Sequence, residues 1–500
     1  MIDHVILSRD CITTWKKTGC KYCDIIGRCS RYYGGVSVFL SALFCEVKGL
    51  GPEGKYFLVR FIQRFGIAEP VDLGVKALAK QFGLSDRQVS EALTTLVALD
   101  VMTFSSTPEG KGRPKRCYQL QEGFHKKLEN ITALIAAQHE VAVGSLLKHE
   151  SKRVCQASEK PEERNEAVGL LTDLRSKKQT GRLTVVNRLL LSVLLCRADR
   201  FGVVNDLGFA TLCKLTGLNK EQLRHRVGRL IDQGLIRAYV PGATSPVQAR
   251  KMKSIYYLNL DHSELVGEES ATSILVCMNG ALFPDHLRHA YSVRTDVHRL
   301  KESPTLFQGS EYGQLVRYLE GLQFPAFRLL QVMVERYAAC LLSRYWSDLL
   351  SGPLDQRIDD QGVRELIRLD FRPPTLPPEN NGGGVKCSDE EQLYAVFDYL
   401  YHWAYELALW IKERFYQATH VPFDCMDFAI ISQPMKRGYR RVVMLALPCP
   451  SEGWSGCLIV EPDTAAPVAP RHVPVESDIS LEDRYNYGLL TRPGNDEVIK

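Results

Sequence analysis

The clearest alternation of apolar and polar positions lies between residues 209 and 236. Residues 209–216 predict a short helix, because Leu212 and Leu215 fall on one face. A second helix is predicted after Asn219, where apolar residues recur with helical spacing. Those residues are Leu223, Val227, Leu230 and Ile231. The pattern is typical of two amphipathic helices, each with one buried face.

Two features predict a tight connection between these helices. Gly217 follows the first helix, at the position where a left-handed residue ends a helix and turns the chain. Asn219 directly precedes the second helix, and Gln222 lies three residues after Asn219. This is the spacing of a capping box. The stretch therefore predicts a helix-turn-helix.

The same pattern occurs earlier in the chain. Residues 73–102 align with residues 207–236 without a gap, at an offset of 134. Gly83 takes the place of Gly217, and Ser85 with Gln88 takes the place of the capping box. The apolar stripe of the earlier helix is Val89, Leu93, Leu96 and Val97. The identical pairs are Leu73/Leu207, Gly74/Gly208, Leu78/Leu212, Lys80/Lys214, Gly83/Gly217, Leu84/Leu218, Gln88/Gln222 and Leu96/Leu230. The chain contains an internal repeat.

Each copy has the same predicted neighbours. Apolar helices precede the two copies, over residues 56–65 and 188–200. A β-hairpin is predicted after each copy. Its strands are residues 101–104 and 117–120 in the first copy, and 235–240 and 254–260 in the second. Each copy thus predicts a helix, a helix-turn-helix and a hairpin, in that order.

This order resembles the winged-helix DNA-binding domains of MarR-like and related bacterial regulators. Residues 112–120, Gly-Arg-Pro-Lys-Arg-Cys-Tyr-Gln-Leu, are similar to the wing ending G-R-P-x-x-x-Y-x-L of that group. The resemblance covers about 140 of the 500 residues and concerns the fold. It implies sequence-specific binding of double-stranded DNA by a transcriptional regulator, with the second helix of each motif in the major groove.

Two alternatives stay open beside transcriptional regulation. Replication or partition initiators of mobile elements also pair two winged helices in one chain. A scaffold could instead use its winged helices to bind protein.

The distribution of charge favours a nucleic-acid partner. The formal net charge of the chain is only +5. Residues 182–260 hold 13 Lys and Arg against 4 Asp and Glu, whereas residues 461–500 hold 4 against 8. Concentration of positive charge in one module is expected of a surface that faces phosphate.

Candidate base-reading residues lie on the exposed side of each second helix. In the second copy they are Lys220, Arg224, His225 and Arg229. In the first copy they are Arg87, Ser90 and Thr94, beside Glu91. Arginine suits guanine and lysine suits phosphate, whereas Glu91 repels phosphate, so we expect the second copy to be the stronger reader. The alternative interpretation is a solvated polar helix face.

Basic residues also cluster in the two predicted wings. The first wing carries Lys111, Arg113, Lys115 and Arg116, and the second carries Arg250, Lys251 and Lys253. Flexible basic loops suit the minor groove or the flanking phosphates. Solvated turns are the alternative.

The predicted fold class is mainly α with small β-hairpins (α+β). The predicted units are residues 1–50 of unknown fold, a first winged helix with a following helix over 51–148, a charged linker over 149–180, a second winged helix over 181–262, a helical region over 263–371, a Pro/Gly linker over 372–388, a helix with a small antiparallel sheet over 389–461, and a poorly ordered acidic tail over 462–500. Residues 122–148 predict one helix, which either forms a homodimer or packs inside the monomer.

Signatures of catalysis were not found in the sequence. It contains no G-x4-G-K-[ST] phosphate loop, no H-E-x-x-H and no G-x-S-x-G, so we expect neither an enzyme nor a cofactor. Cys11, Cys20, Cys23 and Cys29 include one C-x2-C pair without a recognisable second half, which favours small apolar thiols over a zinc site. The most apolar stretch, residues 36–45, is too short to span a bilayer, so we expect a cytoplasmic protein without a membrane partner.

Overall fold

The computed structural model describes the chain in thirteen ranges. They are residues 38–107, 115–132, 138–148, 183–249, 251–265, 273–279, 290–350, 357–372, 389–416, 423–434, 440–447, 456–460 and 470–493. Within these ranges the protein is mainly α-helical with small β-sheets, and the predicted fold class is confirmed.

The first repeat consists of three helices and a hairpin, with one further helix before it. Its elements are α1 (Val38–Phe44), α2 (Pro52–Phe65), α3 (Val75–Phe82), α4 (Asp86–Ala98), β1 (Met102–Thr107) and β2 (Lys115–Leu120). β1 and β2 pair antiparallel, with Met102 opposite Leu120. Val71 forms a bridge with Tyr118, which ties the loop between α2 and α3 to the hairpin.

The second repeat has the same order of elements, with one short strand in addition. They are α7 (Val185–Leu195), β3 (Val203–Val204), α8 (Phe209–Thr216), α9 (Lys220–Asp232), β4 (Ile236–Val240) and β5 (Ile255–Leu258). α3 and α8 begin and end 134 residues apart, and so do α4 and α9. The internal repeat read from the sequence therefore holds to the residue in the two central helices.

The predicted turns and caps are confirmed in both repeats. Gly83 and Gly217 take the left-handed conformation, with φ of 66° and 73°. Ser85 and Asn219 each accept a bond from the N–H of the glutamine three residues later, and that glutamine side chain accepts one in return. These bonds satisfy N–H groups that would otherwise lack partners at a helix start.

One apolar core runs through both repeats, because α2 of the first packs against α7 of the second. The predicted stripe of α9 lies in this core, with Leu223 and Leu230 fully buried. The turn before α9 also meets the first repeat. A Cβ added to Gly217 would stand 2.4 Å from the carbonyl oxygen of Leu50. Only glycine fits there, so the two repeats are one packed unit.

The segment 122–148 is not one helix, contrary to the prediction. It contains α5 (Glu122–Thr132) and α6 (Glu140–Leu147), with His139 in a turn before α6. The last turn of α6 is held inside the monomer, because Gln63 and Arg188 donate to the carbonyls of Gly144 and Leu146. The interpretation as a packing helix is supported, and the homodimer stays a prediction.

The second half of the described chain is a layer of helices on a mixed sheet. The helices are α10 (Ala290–Glu302), α11 (Glu311–Tyr318), α12 (Phe324–Tyr345), α13 (Gln361–Asp370), α14 (Asp389–Tyr416) and α15 (Leu481–Asn486). The strands are β6 (Ser273–Asn279), β7 (Asp427–Ile431), β8 (Arg440–Leu447), β9 (Cys457–Val460) and β10 (Arg471–Val473). One face of the sheet packs on the helices and the other faces the second repeat.

Two predictions for this half are wrong. The sheet order is β10-β9-β6-β8-β7, with β6 parallel to β9, so the sheet is not purely antiparallel and recruits a strand from the region predicted to be helical. Residues 470–493 are also structured, although a poorly ordered tail was predicted. Their proline and acidic composition hides apolar anchors, since Ile479 and Leu489 are buried against the sheet.

Candidate nucleic-acid interface

The exposed side of α9 is basic. Its apolar stripe is buried, so Lys220, Arg224 and His225 face outwards and are exposed. Neither Lys220 nor Arg224 forms an ion pair with another described residue. Arg229 is also exposed, with its guanidinium 3.9 Å from the Asp232 carboxylate. The structure therefore leaves all four predicted residues of this helix exposed.

Sequence reasoning missed Arg226, which lies beside this surface. Arg226 is half-buried, and its Nη1 lies 3.5 Å from the hydroxyl of Thr184 at the start of α7. It therefore links α9 to the helix behind it. Its position three residues after Leu223, at the border of the apolar stripe, is the signal that could have identified it.

The corresponding side of α4 is not basic. The Arg87 Nε donates to the Glu91 carboxylate at 2.7 Å, so the cation is paired within its own helix. Ser90 and Thr94 are exposed, but the Thr94 hydroxyl donates to the Ser90 carbonyl at 2.9 Å. The helix carries Asp86 and Glu91 against one arginine. This surface offers polar groups without net positive charge.

The first hairpin projects from its repeat. Phe104 and Ser106 of β1 are exposed, as is Arg116 of β2. The Arg116 guanidinium lies over the Phe104 ring at 5.1 Å, a cation–π contact that orients the cation. Lys115 begins β2, whereas Lys111 and Arg113 lie outside the described residues. The strands below the predicted wing thus have one exposed face, while Met102, Tyr118 and Leu120 anchor the other face in the core.

The second hairpin is buried, in contrast to the predicted wing. Every residue of β4 and β5 is buried. Ile236 and Tyr256 face the core of the repeats, whereas Val240 and Tyr257 pack against the mixed sheet. The strands therefore lie between two cores and have no free face.

The loop of the second hairpin is also attached to the helical layer. The N–H of Ala249 donates to the Asp370 carbonyl at 2.9 Å, and Val247 accepts from Tyr318. Lys251 is exposed, but the Lys253 ammonium donates to the Asp206 carbonyl at 2.7 Å. Arg250 lies outside the described residues. The loop is held at both ends and does not form a free wing.

Part of the positive charge of residues 182–260 is structural. Arg237 of β4 is 1% exposed and donates twice to the Glu476 carboxylate, at 2.8 and 2.7 Å. Burial opposes its charge, but Glu476 and then Asp261 outweigh burial and raise the pKa of the guanidinium above its ordinary value. Arg188 is also buried. The excess of cations predicted from this segment is thus only partly a surface charge.

A glycine spacing in the first repeat invites a different interpretation. Residues 49–54 read G-x-G-x-x-G, but helix α1 precedes them, whereas a dinucleotide-binding turn follows a strand. Gly217 also packs directly on Leu50 and Gly51. This turn is occupied by protein and offers no place for a pyrophosphate.

The described residues contain no group of three or more His, Cys, Asp or Glu arranged to hold a metal ion. Cys11, Cys20, Cys23 and Cys29 lie outside those residues. In the same part of the chain, every helix is too short or too polar to cross a bilayer.

The chain matches no family model, and no curated protein or solved structure is significantly similar to it.

Proposed function

We propose that this protein binds double-stranded DNA in a sequence-specific manner and acts as a transcriptional regulator. The observation that carries the proposal is the exposed basic face of α9. The face stands on a capped helix whose opposite side is buried, so its direction is fixed by packing. A helix presented in this way fits the width of the major groove.

The order of elements around α9 supports the same proposal. A helix, a helix-turn-helix and a hairpin occur twice, as in the winged-helix domains that the sequence resembles. Residues Arg224 and His225 occupy the part of α9 that reaches base edges in such domains. Lys220, near the start of the helix, suits a phosphate.

The two repeats divide the contacts in this proposal. α9 reads bases, while the first hairpin, with Arg116 and the cations of its loop, holds the DNA backbone. α4 adds polar contacts without net charge, and the second hairpin supports α9 from within. Because the repeats share one core, both contacts fall on a single rigid body.

The test compares Arg224→Ala with Arg317→Ala, an exposed arginine on α11 that lies outside both repeats. A duplex is first selected from a random pool by the parent protein. Loss of a bidentate contact to guanine costs about 1–3 kcal/mol, so Arg224→Ala should weaken binding to the selected duplex roughly ten- to a hundredfold. Binding to a scrambled duplex should change much less, and Arg317→Ala should match the parent on both.

The outcomes separate the possible functions. Equal loss on the selected and scrambled duplexes would make α9 a backbone anchor. If no duplex were enriched and no salt-dependent binding seen, DNA would not be the partner and a protein-binding scaffold would be favoured. The presence of two repeats in one chain keeps the initiator as a second candidate. Enrichment of tandem direct repeats would favour it, whereas a palindrome near a promoter would favour the regulator.

A further inference from the structure

We infer that the cleft at the base of the first hairpin is a binding site for a leucine-bearing segment of a partner protein. The cleft has a volume of about 760 Å3. Three stretches in and directly after the first repeat form its wall. They contribute Glu46, Val47 and Lys48, then Leu99, Asp100 and Val101, and finally Gln121, Gly123, Phe124 and Lys127. A volume of this size accommodates a short peptide or a small molecule.

The second repeat contains the same local structure at the corresponding place. The N–H of Gln121 donates to the Val101 carbonyl at 3.0 Å, and the N–H of Asn259 donates to the Leu235 carbonyl at 2.9 Å. Val101 and Leu235 are 134 residues apart. Asp100 and Gly234, just before them, both have positive φ, of 53° and 73°. The backbone just before the two hairpins is therefore equivalent, although β4 shifts register between Ile236 and Ala238 and β1 does not.

In the second repeat the chain itself covers this place. A Cβ added to Gly234 would lie 3.5 Å from a methyl carbon of Leu490. The N–H and hydroxyl of Thr491 both donate to the Arg237 carbonyl, at 3.0 and 2.8 Å. The covering segment thus offers a leucine side chain and, next to it, two donors for the edge of the strand.

In the first repeat no described residue of the chain covers the equivalent place. Leu99 is 37% exposed there and supplies the apolar surface, while Val101 and Phe124 line the cleft beside it and are buried. Asp100 stands where the second repeat has glycine, so its carboxylate is available to a donor or a basic side chain of the occupant. A leucine followed by threonine and arginine, as in residues 490–492, combines these groups.

The charges of the cleft favour a peptide over a phosphate ligand. Lys48 and Lys127 are balanced by Glu46 and Asp100, and the Lys127 ammonium already donates to the Glu46 carbonyl at 2.9 Å. A phosphate site requires an excess of positive charge, which this lining does not provide. A segment with an apolar anchor and adjacent donors matches the lining better.

The test uses a fluorescein-labelled peptide that copies residues 485–493, titrated with the full chain without DNA and followed by fluorescence anisotropy. Saturable binding is expected. Leu99→Arg should weaken it at least tenfold, and so should Gly123→Phe, because a Cβ on Gly123 meets no atom within 4 Å and its ring can enter the cleft. Val141→Arg is the control, since Val141 is 79% exposed on α6, away from the cleft. A peptide with alanine at both leucines should bind at least tenfold more weakly.

Two results would overturn the inference: no saturable binding to the parent, or equal binding by the parent and both cleft variants. Thermal melting followed by circular dichroism checks that Leu99→Arg is folded. If Leu99→Arg melts at a lower temperature than the parent, the binding of the peptide to Gly123→Phe decides the test. The measurement contains no DNA, so its failure leaves the proposed DNA binding untouched. Failure of DNA binding likewise leaves this site untouched.

Discussion

The two repeats share one plan but differ in which part they expose. The first repeat buries one face of its hairpin, leaves the other face exposed, and pairs the arginine of α4 with Glu91. The second repeat buries its hairpin and leaves the cations of α9 exposed. A duplicated frame has thus acquired two different surfaces. The exposed strand face of a hairpin and the exposed basic helix therefore belong to different repeats.

The composition of the strands explains this difference. β4 reads Ile-Arg-Ala-Tyr-Val and β5 reads Ile-Tyr-Tyr-Leu, so apolar side chains occur on both faces. β1 reads Met-Thr-Phe-Ser-Ser-Thr, which has few apolar positions to bury. Strands covered on both faces carry nearly continuous apolar runs, and exposed strands do not. The second hairpin therefore has to be covered, and the mixed sheet covers it.

The largest expected effect concerns Arg237, which attaches the second hairpin to the C-terminal segment. Arg237→Ala leaves the Glu476 and Asp261 carboxylates without their cation and should lower the free energy of unfolding by about 3–5 kcal/mol. Thr103, at the same position of the first hairpin, is exposed, and Thr103→Ala should change stability by less than about 0.5 kcal/mol. Urea unfolding of both variants is the measurement. Similar values for the two would remove the contrast between the hairpins.

A second contrast lies in the helices that join the repeats. α7 buries Leu189, Leu190 and Leu191, whereas α2 buries Lys55, whose ammonium donates to the Cys45 carbonyl. Burial lowers the pKa of Lys55 from 10.5 to about 8. Between these values the unfolded chain binds more protons at this residue than the folded chain, so its contribution to stability rises with pH.

Lys55→Leu tests this contrast by copying the second repeat. Relative to the variant, the parent should gain roughly 3 kcal/mol of stability as the pH rises from 8 to 10.5. Urea unfolding of both proteins at the two pH values gives the difference, in which the titration of unrelated groups cancels. A difference that did not change with pH would mean that Lys55 titrates normally and is not desolvated.

The smallest expected effect is that of the basic residues of each hairpin on the affinity for DNA. Arg113→Ala with Lys115→Ala should weaken binding to all duplexes and reduce the salt dependence by about one to two ions, because cationic side chains that contact phosphate release counterions. Lys251→Ala with Lys253→Ala should change both much less, since that loop is held by the helical layer. Titrations at several salt concentrations measure the slopes. A larger effect from the second pair would reverse the comparison between the repeats.

The sequence was sufficient where the signal was local. The glycine turns at Gly83 and Gly217, both capping boxes and both apolar stripes depend on residues within one or two helical turns, and all were predicted. The exposed cations of α9 followed from the same periodicity. The apolar composition of β4 and β5 indicates burial on both faces. The resemblance to winged helices predicted an exposed hairpin there instead.

Long-range pairing was beyond sequence reasoning. β6 pairs with β9 across about 180 residues of sequence. Neither strand contains a local pattern that predicts this pairing. The prediction of a poorly ordered C-terminal tail was wrong for the same reason. The ion pair that Glu476 forms with Arg237 cannot be inferred from either residue alone. The structural roles that could not be predicted from the sequence are those that depend on a partner far away in the chain.

The core shared by the repeats has a consequence for synthesis of the chain. α2 ends at Phe65 and α7 ends at Leu195, so the ribosome adds 130 residues between the two packing partners. At roughly 5–20 residues per second, the side of α2 that packs on α7 stays without this partner for on the order of ten seconds. During that interval the nascent first repeat exposes an apolar surface to the cell.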